Sequence, residues 1–476
     1  MSPEPPAHPP LEPPEPPVPP YPPRPAFVSG IVQPSVAALR SGWGRAAIVA
    51  AGVLALVYLL NLPLAWLQAE ATPRLLPFAE GAVANPIASP GIAKAALLSL
   101  MLWHGISLRA EVALPTDAQV PFGFSIEVSV VITLMLGLAA AGYLLYRGGR
   151  WATEGEGPGW QAGVRGLQIA LLYAVLVLIL SFLGGVDVPL PEAPGGDGPE
   201  SVSVGVSKLG AFGMPFLIAA LAASAGALSG RLWPRGRTAR LVLGGLSGGW
   251  RAAWMAVALA TMGFLVVAAL NPDETRAYLE LVPGGGLARA LLVLSTVLIL
   301  PNIGTGIAAA AMGGSINLAA GTESCAIVSY LQFPGGVVEL GPGFSTSNLA
   351  CGLPIDLGPA PFQYLLFLFV PLAATIAGGW LAAQRAGATE AEDGAVAGAT
   401  IAIPYALGLG AFALIARFGA STSFFVAVSE GWVGPGLVST LLIAIVWGAL
   451  GGAIGGALGA RNASGPGINP GPPTNI

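Results

Sequence analysis

Residues 166–186 read GLQIALLYAVLVLILSFLGGV. No Asp, Glu, Lys or Arg interrupts the run. A helix needs roughly 20 apolar residues to cross the hydrocarbon core of a bilayer. In lipid, a segment must satisfy its backbone N–H and C=O groups internally, so this run reads as a spanning helix.

The rest of the chain is similar. Of 476 residues, 54% are hydrophobic and only 9% are charged, against roughly 25% charged in a soluble domain. Mean hydropathy is +0.74. Twenty Lys+Arg and 24 Asp+Glu cannot cover a globule of this size with polar surface. The composition therefore excludes a soluble enzyme. A net charge of −4 excludes a nucleic-acid partner. The fold class is all-α: a polytopic transmembrane helical bundle, whose solvent is the lipid bilayer.

Seven further spans are expected at 46–67, 125–146, 209–229, 252–270, 362–383, 396–416 and 435–458, which gives about eight. The stretch 91–108 is apolar but short, and Lys94, His104 and Arg109 break or flank it. It reads as a helix at the interface or half inserted. The transmembrane domain thus covers 46–460. Residues 1–45 precede it as a disordered tail, with 14 prolines in the first 25 positions, and 461–476 follow as a second tail. Proline fixes φ and lacks an N–H, so the first tail is expected as polyproline II or a solvated spacer.

Arginine marks the cytoplasmic side. Arg24, Arg40 and Arg45 precede the first span, and Arg231, Arg235, Arg237 and Arg240 cluster between the fourth and fifth. The expected location is the plasma membrane, multi-pass, with the amino terminus cytoplasmic. Four spans end alike, in LAAAGYLLYRGGR, AASAGALSGR, AGGWLAAQR and GGAIGGALGAR. These endings fit repeated helix pairs, and they equally fit any inward-running helix.

An apolar block at 288–320 holds LILPNIGTG. Proline removes one helical hydrogen bond, and broken backbone at membrane depth must be covered by protein or water. The expectation is a re-entrant or broken helix pair, 288–301 and 303–320; one kinked span is the alternative. Pro301, Asn302, Thr305 and Asn317 would form its polar site. Asn302 either caps the second half-helix or lines a cavity. Both cysteines, Cys325 and Cys351, fall in the 321–360 segment, which is free of Lys and Arg and is read as an extracytoplasmic loop. A Cys325–Cys351 disulfide is expected there, with two unpaired buried thiols as the alternative.

No catalytic motif, metal-ligand spacing or cofactor signature is present: neither HExxH, GxSxG nor a Walker loop occurs. No catalytic residue, metal or cofactor is expected. Gly244, Gly245, Gly248 and Gly249, and the series Gly448, Gly451, Gly452, Gly455, Gly456 and Gly459, lie partly in GxxxG register. Such faces pack helices within a chain or against another membrane protein.

LPN at 300–302, LGPGF at 340–344 and LPIDLGPAP at 353–361 resemble a pattern in PerM-like membrane proteins of actinobacteria. The streptophobe-type proteins of streptomycetes are similar in character. The resemblance covers about residues 290–385. It implies a non-enzymatic integral membrane protein, a scaffold or accessory protein of the cell envelope or division machinery. A secondary transporter or channel-like protein using the break at Pro301–Asn302 is the alternative.

Overall fold

The computed structural model describes residues 41–75, 91–113, 125–154, 159–189, 201–229, 236–280, 285–320, 323–329, 366–424 and 427–463. Among them, eight helices are long and apolar enough to cross a membrane. The protein is a polytopic helical bundle. Its helices are α1 (Trp43–Leu75), α2 (Ile92–Trp103), α3 (Met135–Ala152), α4 (Gly159–Leu183), α5 (Lys208–Leu228), α6 (Arg237–Leu270), α7 (Pro272–Glu280), α8 (Gly285–Ala311), α9 (Phe369–Ala386), α10 (Ala391–Ala399), α11 (Ala402–Ile415) and α12 (Leu437–Ala463). Helices α10 and α11 together make one span, Ala391–Ile415. Helix α2 has 12 residues and is too short to cross, as its flanking charges predict.

The bundle also carries strands. These are β1 (Leu108–Ala113), β2 (Ser125–Ile132), β3 (Val186–Pro189), β4 (Ser201–Val206), β5 (Ser315–Ala320), β6 (Glu323–Ser329), β7 (Phe418–Phe424) and β8 (Ala427–Pro435). They form one antiparallel sheet in the order β3-β4-β1-β2-β7-β8-β5-β6. All four hairpins rise from the same end of the bundle, the sheet end. Arg150, Arg385 and Arg461 close α3, α9 and α12 at the opposite, arginine end.

Two sequence expectations change. The span expected at 125–146 divides into β2 and α3. Its first eight residues, SIEVSVVI, alternate polar and apolar, a period that places one face of a strand on the core and the other toward solvent. The 288–320 block is not a re-entrant or broken helix pair: α8 runs unbroken through Pro301, and Asn317 lies on β5. Helix α6 packs closely on α8 one turn beyond this proline. A Cβ on Gly304 would sit 2.1 Å from Thr261 Oγ1 and 2.9 Å from the Val257 carbonyl oxygen. The Thr261 hydroxyl donates to Val257 O within α6 at 2.8 Å and also lies 3.4 Å from the carbonyl of Leu300, the residue before the proline. Within the 321–360 segment read as a loop, residues 323–329 form strand β6, paired with β5 just before it. Cys325 lies on β6, and Cys351, like both tails beyond 41–463, lies outside the described residues.

The strand order shows how the chain is built. Reading β3-β4-β1-β2 and then β7-β8-β5-β6 gives one pattern twice. The registers agree: β1–β4 pairs Leu108 with Val206, and β5–β8 pairs Ile316 with Pro435. Likewise β3–β4 pairs Val186 with Val204, and β7–β8 pairs Phe418 with Val433. The turn after α2 repeats after α8. Gly105 and Gly313 both take positive φ, 67° and 103°, where a side chain would be strained. The Ile106 N–H donates to Met101 O, and the Gly314 N–H to Ala309 O. The helix starts match as well, with Ser207 N–H donating to Ser107 O and Gly436 N–H to Ser315 O.

Helix crossings complete the duplication. In the first half, a Cβ on Gly149 would lie 2.2 Å from Ala223 O, and one on Gly226 1.9 Å from Tyr146 O. In the second, a Cβ on Gly379 would lie 2.1 Å from Gly452 O, and one on Gly455 1.9 Å from Ile376 O. So α3 on α5 and α9 on α12 are the same crossing, and the four similar span endings are two repeated pairs. By packing, α1 corresponds to α6, the end of α8 to α2, and α10–α11 to α4. The glycine faces of α6 and α12 meet other helices of the same chain: Gly248 faces Gly378 O, Gly249 Ile401 O and Gly456 Gly394 O. These glycines thus serve close packing within the chain.

Candidate functional site at the seam between the halves

The two halves meet along β2 and β7, where seven residue pairs run from Ile126–Phe424 to Ile132–Phe418. Ser129 and Ser421 share a 2.7 Å hydroxyl hydrogen bond across this join. Below it, Asn302 of α8 reaches into the other half. Its Nδ2 donates to Thr133 O at 2.8 Å, and its Oδ1 accepts from Met135 N–H at 3.3 Å. Asn302 is 3% exposed.

These contacts have a common cause. Residues 133–134 join β2 to α3 inside the core, and the first N–H groups of a helix have no partner of their own. Leu134 cannot cap α3, since its side chain accepts nothing. Asn302 therefore caps α3 from another helix, using the property for which asparagine is favoured at helix starts. The sequence reading anticipated a cap, but of the helix that carries it. Thr305 Oγ1 turns back onto Pro301 O at 2.7 Å and also reaches Met135 Sδ at 3.8 Å. The structure thus brings Pro301, Asn302 and Thr305 together at the seam. Asn317 joins β5 elsewhere, paired with Gly434 and Ala326. Leu64 and Leu67 of α1 lie in one apolar cluster with Leu291 and Leu298 of α8, which adds a dry contact between the halves.

A second polar feature occurs once per half. His104 follows α2 and is wholly buried. Its Nδ1 lies 2.8 Å from Leu100 O and its Nε2 2.8 Å from the Tyr173 hydroxyl. A carbonyl only accepts, so Nδ1 carries the proton, and in the neutral ring Nε2 accepts from Tyr173. In the second half Met312 takes the place of His104 and Tyr405 that of Tyr173, with the Tyr405 hydroxyl donating to Met312 Sδ at 3.4 Å. Both tyrosines are fully buried. Each ties the turn after α2 or α8 to the middle of a neighbouring span. Hence Tyr173→Phe, which strips His104 of its donor, is expected to cost about 1–3 kcal/mol. Tyr405→Phe should cost less, since a thioether is a weak acceptor. Thermal unfolding in detergent compares the two, and equal losses would contradict these assignments.

On the sheet, alternate residues form a polar face. Arg109 and Glu127 make a 3.0 Å ion pair, with both side chains substantially exposed. Glu111 stands opposite Glu127 in the register, and Glu430 opposite Ser421. Glu127 is a residue of strand β2. The alternation of LRAEVA, SIEVSVVI and SVSVGV carried this signal in the sequence. Among the described residues, no three His, Cys, Asp or Glu side chains gather as a metal site.

Residues 343–463, about a quarter of the chain, match the model of a family described as "Family of unknown function (DUF7978)". The match takes in α9 to α12 with hairpin β7–β8, the part of the second half that corresponds to α3–α5 of the first. No curated protein and no solved structure matches the chain.

Proposed function

We propose that the protein is a non-enzymatic scaffold or accessory protein of the cell envelope, set in the plasma membrane with the arginine end in the cytoplasm and the sheet outside. One observation carries this reading. At Asn302, the side chain best placed to meet a solute at membrane depth, both polar atoms are taken up by the backbone of the opposite half. A transport site keeps such groups for its cargo. The sheet, by contrast, presents charged side chains to solvent, at Arg109, Glu111, Glu127 and Glu430. The resemblance to PerM-like proteins supports a role beside division or envelope proteins.

The test places a photo-crosslinker at Glu111 or Glu430 in native membranes. The expected result is one recurrent adduct with a defined envelope or division protein, absent when the crosslinker is moved to lipid-facing Leu217. Adducts that do not differ between these positions, together with solute flux in vesicles that depends on Asn302, would favour transport instead.

A further inference from the structure

Helix α6 has 34 residues, about 51 Å of helix. Its apolar exterior continues to its last residue: Met262, Val266 and Leu270 are 58%, 54% and 62% exposed. At Asn271 the character changes, and α7 follows with the sequence PDETRAYLE. Returning along α6, α8 resumes the apolar span at Arg289. The boundary between lipid-facing and polar surface therefore falls where α6, α7 and α8 meet.

A cleft of about 410 Å³ opens at this boundary. Ala268, Pro272 and Leu279 give it an apolar floor, and Arg276, Glu280 and Arg289 stand at its rim. All three charged side chains are exposed. Among the described residues none of them has a hydrogen bond or ion pair, unlike Arg109 and Arg237, which have acidic partners. Two guanidiniums and one carboxylate without partners among the described residues thus line an apolar hollow that meets the lipid-facing side of α6 at Ala269.

We propose that this cleft seats a phospholipid with a zwitterionic phosphate–ammonium headgroup. Arg276 and Arg289 bind the phosphate, for which guanidinium geometry is suited. Glu280 accepts from the ammonium. The acyl chains run over Ala269 and down the exposed Leu265–Met262 stripe of the same face. The apolar floor distinguishes a lipid from a free phosphate compound, and Glu280 distinguishes a zwitterionic lipid from an anionic one. This site is independent of the scaffold reading, since it lies away from the seam and from the polar face of the sheet.

The experiment uses the purified full chain in nonionic detergent and counts bound lipid by native mass spectrometry. The probes are dioctanoyl phosphatidylethanolamine, dioctanoyl phosphatidylglycerol and free phosphoethanolamine. The wild type should retain the ethanolamine lipid over the glycerol lipid, and free phosphoethanolamine should not displace it. Arg276→Ala with Arg289→Ala should weaken retention of both lipids by about tenfold or more. Glu280→Gln should remove the preference between them. Arg461→Ala, at the opposite end, should match the wild type, and elution as a single species confirms that each variant is folded. Equal retention by the double variant and the wild type overturns the site. Equal binding of the two lipids by the wild type overturns the headgroup assignment, and displacement by phosphoethanolamine overturns the lipid.

Discussion

Gly455→Val is expected to separate α12 from α9 and to leave the second half unable to fold in detergent. A Cβ at this position would stand 1.9 Å from Ile376 O and 2.6 Å from its carbon. Both are backbone atoms, so no side-chain rotation relieves the clash, and the helices must move apart. Overpacking in a core typically costs about 1–3 kcal/mol, occasionally more. Here the displaced contact is a helix crossing in which Gly379 and Gly452 also bring backbones together, beside the α10–α12 contact of Gly398 with Gly452 and of Gly394 with Gly456. A loss of roughly 3 kcal/mol or more is expected. The duplication adds a second arm. Gly226→Val meets Tyr146 O at the same 1.9 Å in the first half and should fail to a similar degree. Gly142→Val, on the same α3 but with open space around it, should fold normally. Thermal unfolding and elution profiles of the three variants decide the matter. Equal behaviour of Gly142→Val and Gly455→Val would mean that close approach at these crossings does not hold the bundle together.

Much of this architecture was legible because lipid leaves few solutions. Long uncharged runs such as 166–186 must be helices, and arginines that close four of them mark a common end. The paired span endings already held the duplication. What they lacked was the second relation, which strand AVSEGWVGP shares with SVSVGV only through register. The sheet was obscured by composition. SIEVSVVI is apolar enough to extend the neighbouring helix into a span of the right length, and only its two-residue period separates the readings. LPNIGTG misled in the opposite sense. Proline inside an apolar run signals a break when a helix is judged alone. In the folded chain Gly304 lets α6 press against the weakened turn, and the helix continues. The partner of Asn302 could not be read from sequence at all, since it lies on residues 133–135, in the other half of the molecule.

Asn302→Leu tests what that partnership does. Leucine shares the branching at Cγ and the number of side-chain heavy atoms of asparagine, but it leaves Met135 N–H and Thr133 C=O without partners in a core where water does not reach them. A buried polar group left unpaired costs about 1–3 kcal/mol. Hydrogen bonds between membrane helices are worth less on average, near 0.6 kcal/mol, because the opened state finds other partners. Asn302 serves two backbone groups at the start of a helix, which have no alternative partners, so the loss should approach 2 kcal/mol. It should appear as a lower unfolding temperature, with earlier proteolysis between β2 and α3. Thr305→Val is the companion variant. The Thr305 hydroxyl bonds chiefly within its own helix, to Pro301 O, so its loss should be distinctly smaller. A seam residue changes stability and leaves solute permeability of reconstituted vesicles as it was. If Asn302→Leu folded with an unchanged melting temperature yet abolished a measurable flux, Asn302 would be handling solute, and the cap at Met135 would be incidental to its role.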